Sequence, residues 1–161
     1  MIDGWILPLT VSAAIGTGLV AGVFFAFSTF VMKALERLPA NQGVAAMNSI
    51  NVTVINPLFM LALMGMAAVC VVLGVAAVVN WGERGAGLVL AGSVSYLVLT
   101  IVVTMAFHVP RNDALAARDP DTADTARYWA HYVSSWTAGN HLRVIGGLAA
   151  AILFTIALAA R

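Results

Sequence analysis

Residues 57–79 read PLFMLALMGMAAVCVVLGVAAVV and contain no charged side chain. An α-helix needs about 20 apolar residues to cross the hydrocarbon core of a bilayer, which is roughly 30 Å thick, so this stretch is long enough to span a membrane. The alternation of apolar and polar residues that marks a transmembrane β-strand does not occur in it. The stretch therefore predicts a membrane-spanning helix.

Three further apolar runs, of which the last is short, lie at residues 6–32, 85–107 and 140–160. Pro110 is expected to end the helix of the third run. Over the whole chain 61% of the residues are hydrophobic and only 9% are charged, whereas about a quarter are charged in a soluble domain. The pattern predicts an all-α membrane protein, a four-transmembrane-helix bundle formed by residues 1–161 as a single domain. An extra amphipathic or interfacial helix is expected in the first and in the third connection.

Basic residues are distributed unequally between the two faces of such a bundle. One face would carry Lys33, Arg37, Arg111, Arg118, Arg127 and Arg143, and the other Arg84 and Arg161. Because cytoplasmic connections carry an excess of Lys and Arg, the first and third connections are predicted to lie in the cytoplasm and both termini outside. The chain is rich in Ala and Val and poor in Lys, and it is expected in a bacterial inner membrane with its polar residues on the cytoplasmic side.

Two features concern macromolecular partners. Small residues recur every four positions in the first span, at Ala14, Gly18, Gly22 and Ala26. Such a seam lets a neighbouring helix come close, so it predicts tight packing within the bundle or against a second copy of the chain through the Gly18 and Gly22 face. The net charge of +1 supplies no basic field for nucleic acid, and no nucleic-acid partner is expected.

The most polar stretch before the last span reads RYWAHYVSSWTAGNHLR over residues 127–143. At about 100° per residue, five of its side chains fall within an arc of roughly 80° on a helix. They are Trp129, Tyr132, Trp136, Asn140 and Arg143. His131 and His141 lie off this stripe unless the helix breaks at Gly139. Aromatic residues beside a span are commonly interfacial anchors, but a helix end that faces lipid has no use for amide, imidazole and guanidinium groups together.

Polar side chains from three segments are expected to meet at one membrane surface. The first connection supplies Asn48 and Asn51, and the end of the third span supplies His108 and Asn112. With the stripe they would form a pocket whose aromatic walls accept a flat apolar ligand, while amides and Arg143 hold its oxygen atoms. A histidine that titrates near neutral pH would remove a proton next to a carbonyl. Motifs for nucleotide, di-iron or acyl-transfer chemistry do not occur.

A metal centre is the competing interpretation of the histidines. His108, His131 and His141 suffice by number for a mononuclear metal, but His131 and His141 would lie about 15 Å apart along a continuous helix. Met60 and Met64 lie one helical turn apart without a histidine on their face, which argues against copper. No resident cofactor is expected, with a metal or haem kept as the alternative.

Two motifs carry a family resemblance. Residues 107–112 read FHVPRN, and residues 129–143 follow the pattern Trp-x-x-Tyr-x-x-x-Trp-Thr-x-x-Asn-His-x-Arg. Together with four short spans, they resemble the DUF1772 family, also called the anthrone oxygenase family, over nearly the whole chain. The positions of Asn48 and Asn51 also resemble the family's pattern.

The resemblance implies a membrane-bound oxidoreductase, a monooxygenase of polyketide biosynthesis that converts an anthrone to an anthraquinone with O2 and without a flavin or metal. It implies that His108 or His141 is the base and that the anion is stabilised by Arg143, Asn140 and Asn112. The flat aromatic substrate would be bound by Asn48, Asn51, Asn112, Trp129, Tyr132 and Trp136, with the three aromatic rings stacking on it.

Two alternatives remain open at this level. The motifs could belong to a non-catalytic membrane subunit or small-ligand-binding protein, in which they join the connections to the bundle because polar groups near a bilayer must be paired internally. The third possibility is a metal- or haem-dependent oxidoreductase that uses His108 and His141.

Overall fold

The structure, a computed structural model, describes Ile2 and residues 4–160. Over these residues it consists of five helices joined by short connections, without a β-strand. The helices are α1 (Ile6–Glu36), α2 (Ala40–Thr53), α3 (Pro57–Val79), α4 (Ala86–Ala116) and α5 (Ala123–Ala159). Arg161, which the charge comparison included, lies outside the described residues.

Four of the helices, α1, α3, α4 and α5, are long and apolar enough to cross a membrane. Side chains exposed along them, such as Leu19, Val75 and Val98, are apolar and suit a surface that faces lipid. The protein is therefore an all-α, multi-pass membrane protein, as predicted. α2 is the extra helix of the first connection, whereas the helical residues of the third connection belong to extended ends of α4 and α5.

Local sequence signals explain where two of the spans begin. Asn56 precedes Pro57, and its side-chain oxygen accepts a hydrogen bond from the Phe59 N–H at 3.0 Å, which caps α3. Thr122 caps α5 in the same way through the Thr125 N–H at 3.2 Å. Both caps satisfy N–H groups that the first turn of a helix leaves unpaired.

The four spans form a closed square. α5 packs against α1 and α4, and α3 packs against the same two helices. Small residues allow this, since a Cβ at Gly147 of α5 would lie 2.8 Å from Ala21 Cβ of α1. The predicted seam is used in part: a Cβ at Gly18 would lie 3.6 Å from Ala151, whereas nothing lies within 4 Å of one at Gly22. Contact of Gly22 with a second copy stays a prediction.

Three spans contain π-helical segments. These segments lie in the middle of a span or towards the end of the bundle that carries the first and third connections and is covered by α2. These segments are Phe27–Val31 in α1, Leu61–Gly65 in α3, and Tyr96–Val102 and Thr104–His108 in α4. π-helical turns in α-helices occur frequently at functional sites. We call this end of the bundle the site end.

α2 lies across the site end and packs on α5 and on the last turns of α1 and α4. Val44 and Met47 on the inner face of α2 are fully buried, as is Leu115 of α4. Gly43 faces Trp129 so closely that a Cβ at this position would lie 2.9 Å from the indole ring. Apolar contacts therefore fix α2 over the site end.

The prediction that Pro110 ends the third span is wrong, because α4 continues to Ala116. Pro110 occupies one of the first two positions of the α-helical part Val109–Ala116, directly after the π-helical Thr104–His108. Its missing N–H thus falls where the hydrogen-bonding pattern changes, and proline is tolerated in the first turn of a helix. α5 is also longer than its apolar run, since it begins at Ala123.

Candidate functional site

A cavity of about 220 Å³ lies at the site end and is lined by residues of all four spans, of α2 and of the connection after it. Most of its wall is apolar, and the polar side chains that line it are Asn51, Thr104, His108, Asn112 and Arg143. An apolar cavity of about 150 Å³ holds a benzene ring. This cavity therefore has room for a larger aromatic molecule.

The polar stripe of α5 lies inside the protein. α5 continues without a break through Gly139, so the five side chains share one face, and all of them are buried: Trp129, Tyr132, Trp136, Asn140 and Arg143. Interfacial anchors would instead present their rings to the headgroup region. Anchoring alone therefore does not explain the stripe.

Two members of the stripe, Trp136 and Arg143, line the cavity. Trp129 and Tyr132 stack on each other beneath α2, with ring centroids 5.6 Å apart and planes inclined by 16°. The structure thus places these two rings outside the cavity, where they hold α2 against α5 instead of lining a ligand site.

Arg143 is a buried cation at the wall of the cavity. Its Nε donates to Asn140 Oδ1 at 3.0 Å and its Nη1 to Thr104 Oγ1 at 3.5 Å. The guanidinium carbon lies 4.2 Å from the centroid of the Phe24 ring and 4.9 Å from that of Trp136. Nη2 is buried without a hydrogen-bond partner, and no Asp or Glu among the described residues pairs with the guanidinium. An arginine stays charged in proteins, so the cavity wall carries an unneutralised positive charge.

Asn140 fixes the position of Arg143. Its Nδ2 donates to the Phe24 carbonyl and to Ser28 Oγ, both at 2.7 Å, so that its Oδ1 faces Arg143 Nε. Asn140 is fully buried between α5 and α1 and does not itself line the cavity. It is therefore a positioning residue that acts through Arg143.

A chain of hydrogen bonds runs from α5 through α4 to α2. Tyr132 Oη donates to Asn112 Oδ1 at 2.8 Å, and Trp136 Nε1 donates to the same oxygen at 3.0 Å. Asn112 Nδ2 donates in turn to Asn51 Oδ1 at 3.1 Å. An indole N–H can only donate, so the Asn112 atom that faces Trp136 must be the oxygen Oδ1. The Asn112 nitrogen therefore faces Asn51, and the Asn51 atom that accepts from it must be Oδ1 as well. Asn51 Nδ2 is buried and makes no hydrogen bond of standard geometry to the other described residues.

His108 is buried and lines the cavity. Its Nδ1 lies 3.2 Å from the Val103 carbonyl oxygen, and its Nε2 lies 3.2 Å from that of Trp136. A neutral imidazole has one donor and one acceptor nitrogen, so it donates to only one of these carbonyls. Transfer of a proton from a ligand to His108 would require one of the two contacts to open.

The remaining predicted residues lie outside the cavity. His131 and His141 are exposed on α5, and the break at Gly139 that would have turned His141 towards the stripe does not occur. Asn48 lines a separate polar groove together with Asp113. In the described part of the chain, no three His, Cys, Asp or Glu side chains come together as a set of metal ligands.

Three site residues were not singled out from the sequence. Thr104 contacts Arg143, Ser28 accepts from Asn140, and the Phe24 ring lies beneath the guanidinium. The two hydroxyl groups interrupt apolar spans, and polar side chains within a span are expected to face the interior of the bundle. That signal would have found Ser28 and Thr104, although not their partners.

Comparison with known proteins gives one match. A family model described as anthrone oxygenase matches residues 58–153, which is more than half of the chain and includes α3, α4, the polar stripe and most of α5. No curated protein and no solved structure matches the chain. The matched segment contains His108, Asn112, Asn140 and Arg143, and the chain belongs to the anthrone oxygenase family.

Proposed function

We propose that this protein is a membrane-bound oxygenase of the anthrone oxygenase type, which oxidises a flat phenolic or anthrone-like substrate with O2 and without a resident metal or flavin. The observation that carries the proposal is Arg143, a buried guanidinium at the wall of an apolar cavity, with no carboxylate partner among the described residues. Burying an unpaired charge is costly, and ionisable groups within spans commonly mark functional sites. The charge is explained if the cavity binds an anion.

An anthrone becomes such an anion when its methylene carbon loses a proton, because the negative charge then spreads onto the carbonyl oxygen as a phenolate. Arg143 would hold this oxygen and so stabilise the anion more than the neutral substrate. Asn51 Nδ2, a buried donor at the cavity that makes no hydrogen bond of standard geometry to the other described residues, would hold a second oxygen of the ligand. The geometry therefore favours deprotonation of a substrate that carries two oxygen functions.

The electron-rich anion can react with O2 directly, and an apolar cavity excludes competing water. In the overall change, the methylene group and one molecule of O2 become a carbonyl group and one molecule of water. One oxygen atom enters the new carbonyl and the other leaves in the water with both methylene hydrogens, and the substrate supplies all the electrons. This balance needs no external reductant, so the protein has to supply only a base, a site for the anion and the pocket.

We propose His108 as the base. Its imidazole is the one side chain among the cavity-lining residues that offers a basic ring nitrogen, since the others are apolar, amide, hydroxyl or guanidinium groups. His108 would exchange one backbone carbonyl contact for the substrate as the proton is transferred. His141, the other predicted base, is exposed and has no part in this scheme.

Oxygen uptake by the purified, metal-analysed protein with a model hydroxyanthrone tests the proposal. Arg143→Gln removes the charge and should lower kcat/KM by about 100-fold, as loss of an oxyanion-stabilising donor does. Arg127→Gln is the matched control, because Arg127 is an exposed arginine of the same helix. Uptake above spontaneous oxidation that is equal in both variants would contradict the proposal.

The second candidate is a protein that binds the same kind of ligand without oxidising it. The observation in its favour is that both ring nitrogens of His108 already face carbonyl oxygens. Tight, Arg143-dependent binding of a hydroxyanthraquinone, together with absence of oxygen uptake from a hydroxyanthrone, would support this candidate over the oxygenase.

A further inference from the structure

The exposed part of the cavity wall is apolar. Among its lining residues, the most exposed are Ile55, Met105 and Val109, with 72%, 55% and 37% of their surface accessible. An entrance for ligands dissolved in water would be expected to carry polar groups at its edge. This edge instead has the character of the lipid-facing surface of the spans.

The opening exists because α3 and α4 diverge at the site end. Met66–Val79 of α3 packs against Ala86–Ser95 and Tyr96–Val102 of α4. Residues 57–65 of α3, in contrast, do not pack closely against Thr104–His108 of α4. Both diverging segments belong to helices that cross the membrane, so the wedge between them opens at the side of the bundle.

Two hydrogen-bonded amides line another side of the cavity. Beyond them lies the groove lined by Asn48 and Asp113, and this groove shares Asn51, Ile55 and Asn112 with the cavity. A hydrogen bond of 3.1 Å runs from Asn112 Nδ2 to Asn51 Oδ1. A ligand that arrived through the groove would pass these amides, whereas a ligand that arrived through the wedge would meet apolar side chains at its edge.

We propose that ligands enter the cavity sideways from the bilayer, through the wedge between α3 and α4 bounded by Met60, Met105 and Val109. Methionine side chains are unbranched and flexible, so Met60 and Met105 can move apart around a flat ring. The ligand is then an aromatic amphiphile dissolved in the membrane, whose acidic oxygen reaches Arg143 at the inner wall. This inference rests on the proposed function in one respect, because it takes Arg143 as the group that binds the ligand at the end of the path.

Thiol labelling in phosphatidylcholine vesicles tests the path without any turnover. The full-length chain with Cys70→Ala would carry Leu63→Cys, since Leu63 is buried and lines the cavity. Lipid-soluble N-pyrenylmaleimide should label this thiol at least about tenfold faster than a sulfonated maleimide, because a sulfonate enters hydrocarbon at a high cost. Met47→Cys, on the buried face of α2, serves if Leu63→Cys does not fold.

Tryptophan substitutions then locate the entrance. Met105→Trp narrows the wedge and should slow labelling by the lipid-soluble reagent at least about fivefold, as a bulky ring obstructs a packed opening. Val98→Trp on the lipid-facing surface of α4 and Val52→Trp in the polar groove are the matched controls and should leave the rate unchanged.

Two results would overturn the inference: equal labelling by the sulfonated reagent, or slowing by Val52→Trp but not by Met105→Trp. Both would place the entrance at the polar groove. Labelling needs neither an anthrone nor O2, so the two proposals can fail independently. Labelling through the wedge without oxygen uptake would support the lateral entrance and contradict the oxygenase. Oxygen uptake without labelling through the wedge would support the oxygenase and contradict the lateral entrance.

Discussion

Asn140 and Arg143 form a buried pair on one turn of α5, in which Asn140 Oδ1 accepts a hydrogen bond from Arg143 Nε at 3.0 Å. The amide is neutral, so it orients the guanidinium without cancelling its charge. A carboxylate in the same place would orient the guanidinium equally well and neutralise it. The choice of Asn at this position therefore leaves the positive charge of Arg143 available to a ligand.

Asn140→Asp should weaken binding of an ionised hydroxyanthraquinone by at least about tenfold, because opposite charges at this distance attract each other strongly in a low-dielectric site. Binding of unsubstituted anthraquinone, which has no acidic group, should change far less. Fluorescence titration of both ligands measures the difference. Ser28→Ala is the control, because it removes one acceptor of Asn140 Nδ2 and adds no charge. An equal loss of affinity for both ligands would show that Asn140 has only a structural role.

Arg143→Met should leave the thermal stability in detergent unchanged or raise it. The substitution replaces a buried, unpaired cation by an apolar side chain, and the burial cost that is removed offsets the loss of about 1–3 kcal/mol where Asn140 Oδ1 is left without its donor. Binding of the hydroxyanthraquinone should be lost at the same time. A large drop in Tm would instead mean that the guanidinium holds the bundle together, which is the structural interpretation of the motif.

Asn112→Leu should destabilise the protein by at least about 3 kcal/mol, since each buried group left without its partner costs about 1–3 kcal/mol. It leaves three such groups, on Tyr132, Trp136 and Asn51. Thermal unfolding measures the effect, with Asn41→Leu as the control, because Asn41 makes its side-chain hydrogen bond at the exposed surface. Equal stability of the two variants would show that the amide chain is not a stabilising network.

Gly43→Ala should destabilise the protein by about 1–3 kcal/mol, the usual range for overpacking, because the new methyl group meets the Trp129 ring. Gly22→Ala, in a helix interior with nothing nearby, should be neutral or stabilising by up to about 1 kcal/mol. Thermal unfolding of the two variants compares them directly. A change of oligomeric state in Gly22→Leu, measured by light scattering, would confirm the predicted contact between copies at this face.

The number of spans and the buried face of α5 could be predicted from the sequence. Apolar length fixes how many helices cross a membrane, and helical periodicity fixes which side chains share a face, so the sequence predicts Trp129 and Arg143 on one stripe, which the structure buries. Periodicity does not predict which helix or cavity this face of α5 contacts at each position along the helix. Trp129 and Tyr132 therefore lie beneath α2 and outside the cavity, while Trp136 and Arg143 line it.

The partners of the stripe could not be predicted, because they come from other helices. Ser28 and Phe24 reach Asn140 from α1, and nothing in the spacing of α1 identifies this pairing. Pro110 shows a second limit. A proline ends a regular α-helix, but α4 changes its hydrogen-bonding pattern just before it and continues.

The position of Asn112 depends on the π turn that precedes it. A π turn accommodates one residue more than an α turn, so deleting a single residue within Thr104–His108 would restore a regular α-helix and leave the residues on either side in register. Closing the π turn into an α turn without a deletion would instead rotate everything between it and the end of α4 by about 100° relative to the rest of the bundle. Asn112 would then turn away from Tyr132 and Trp136, although no side chain of the site had been replaced. The hydrogen-bonding pattern of the α4 backbone is therefore as much a part of the site as its side chains are.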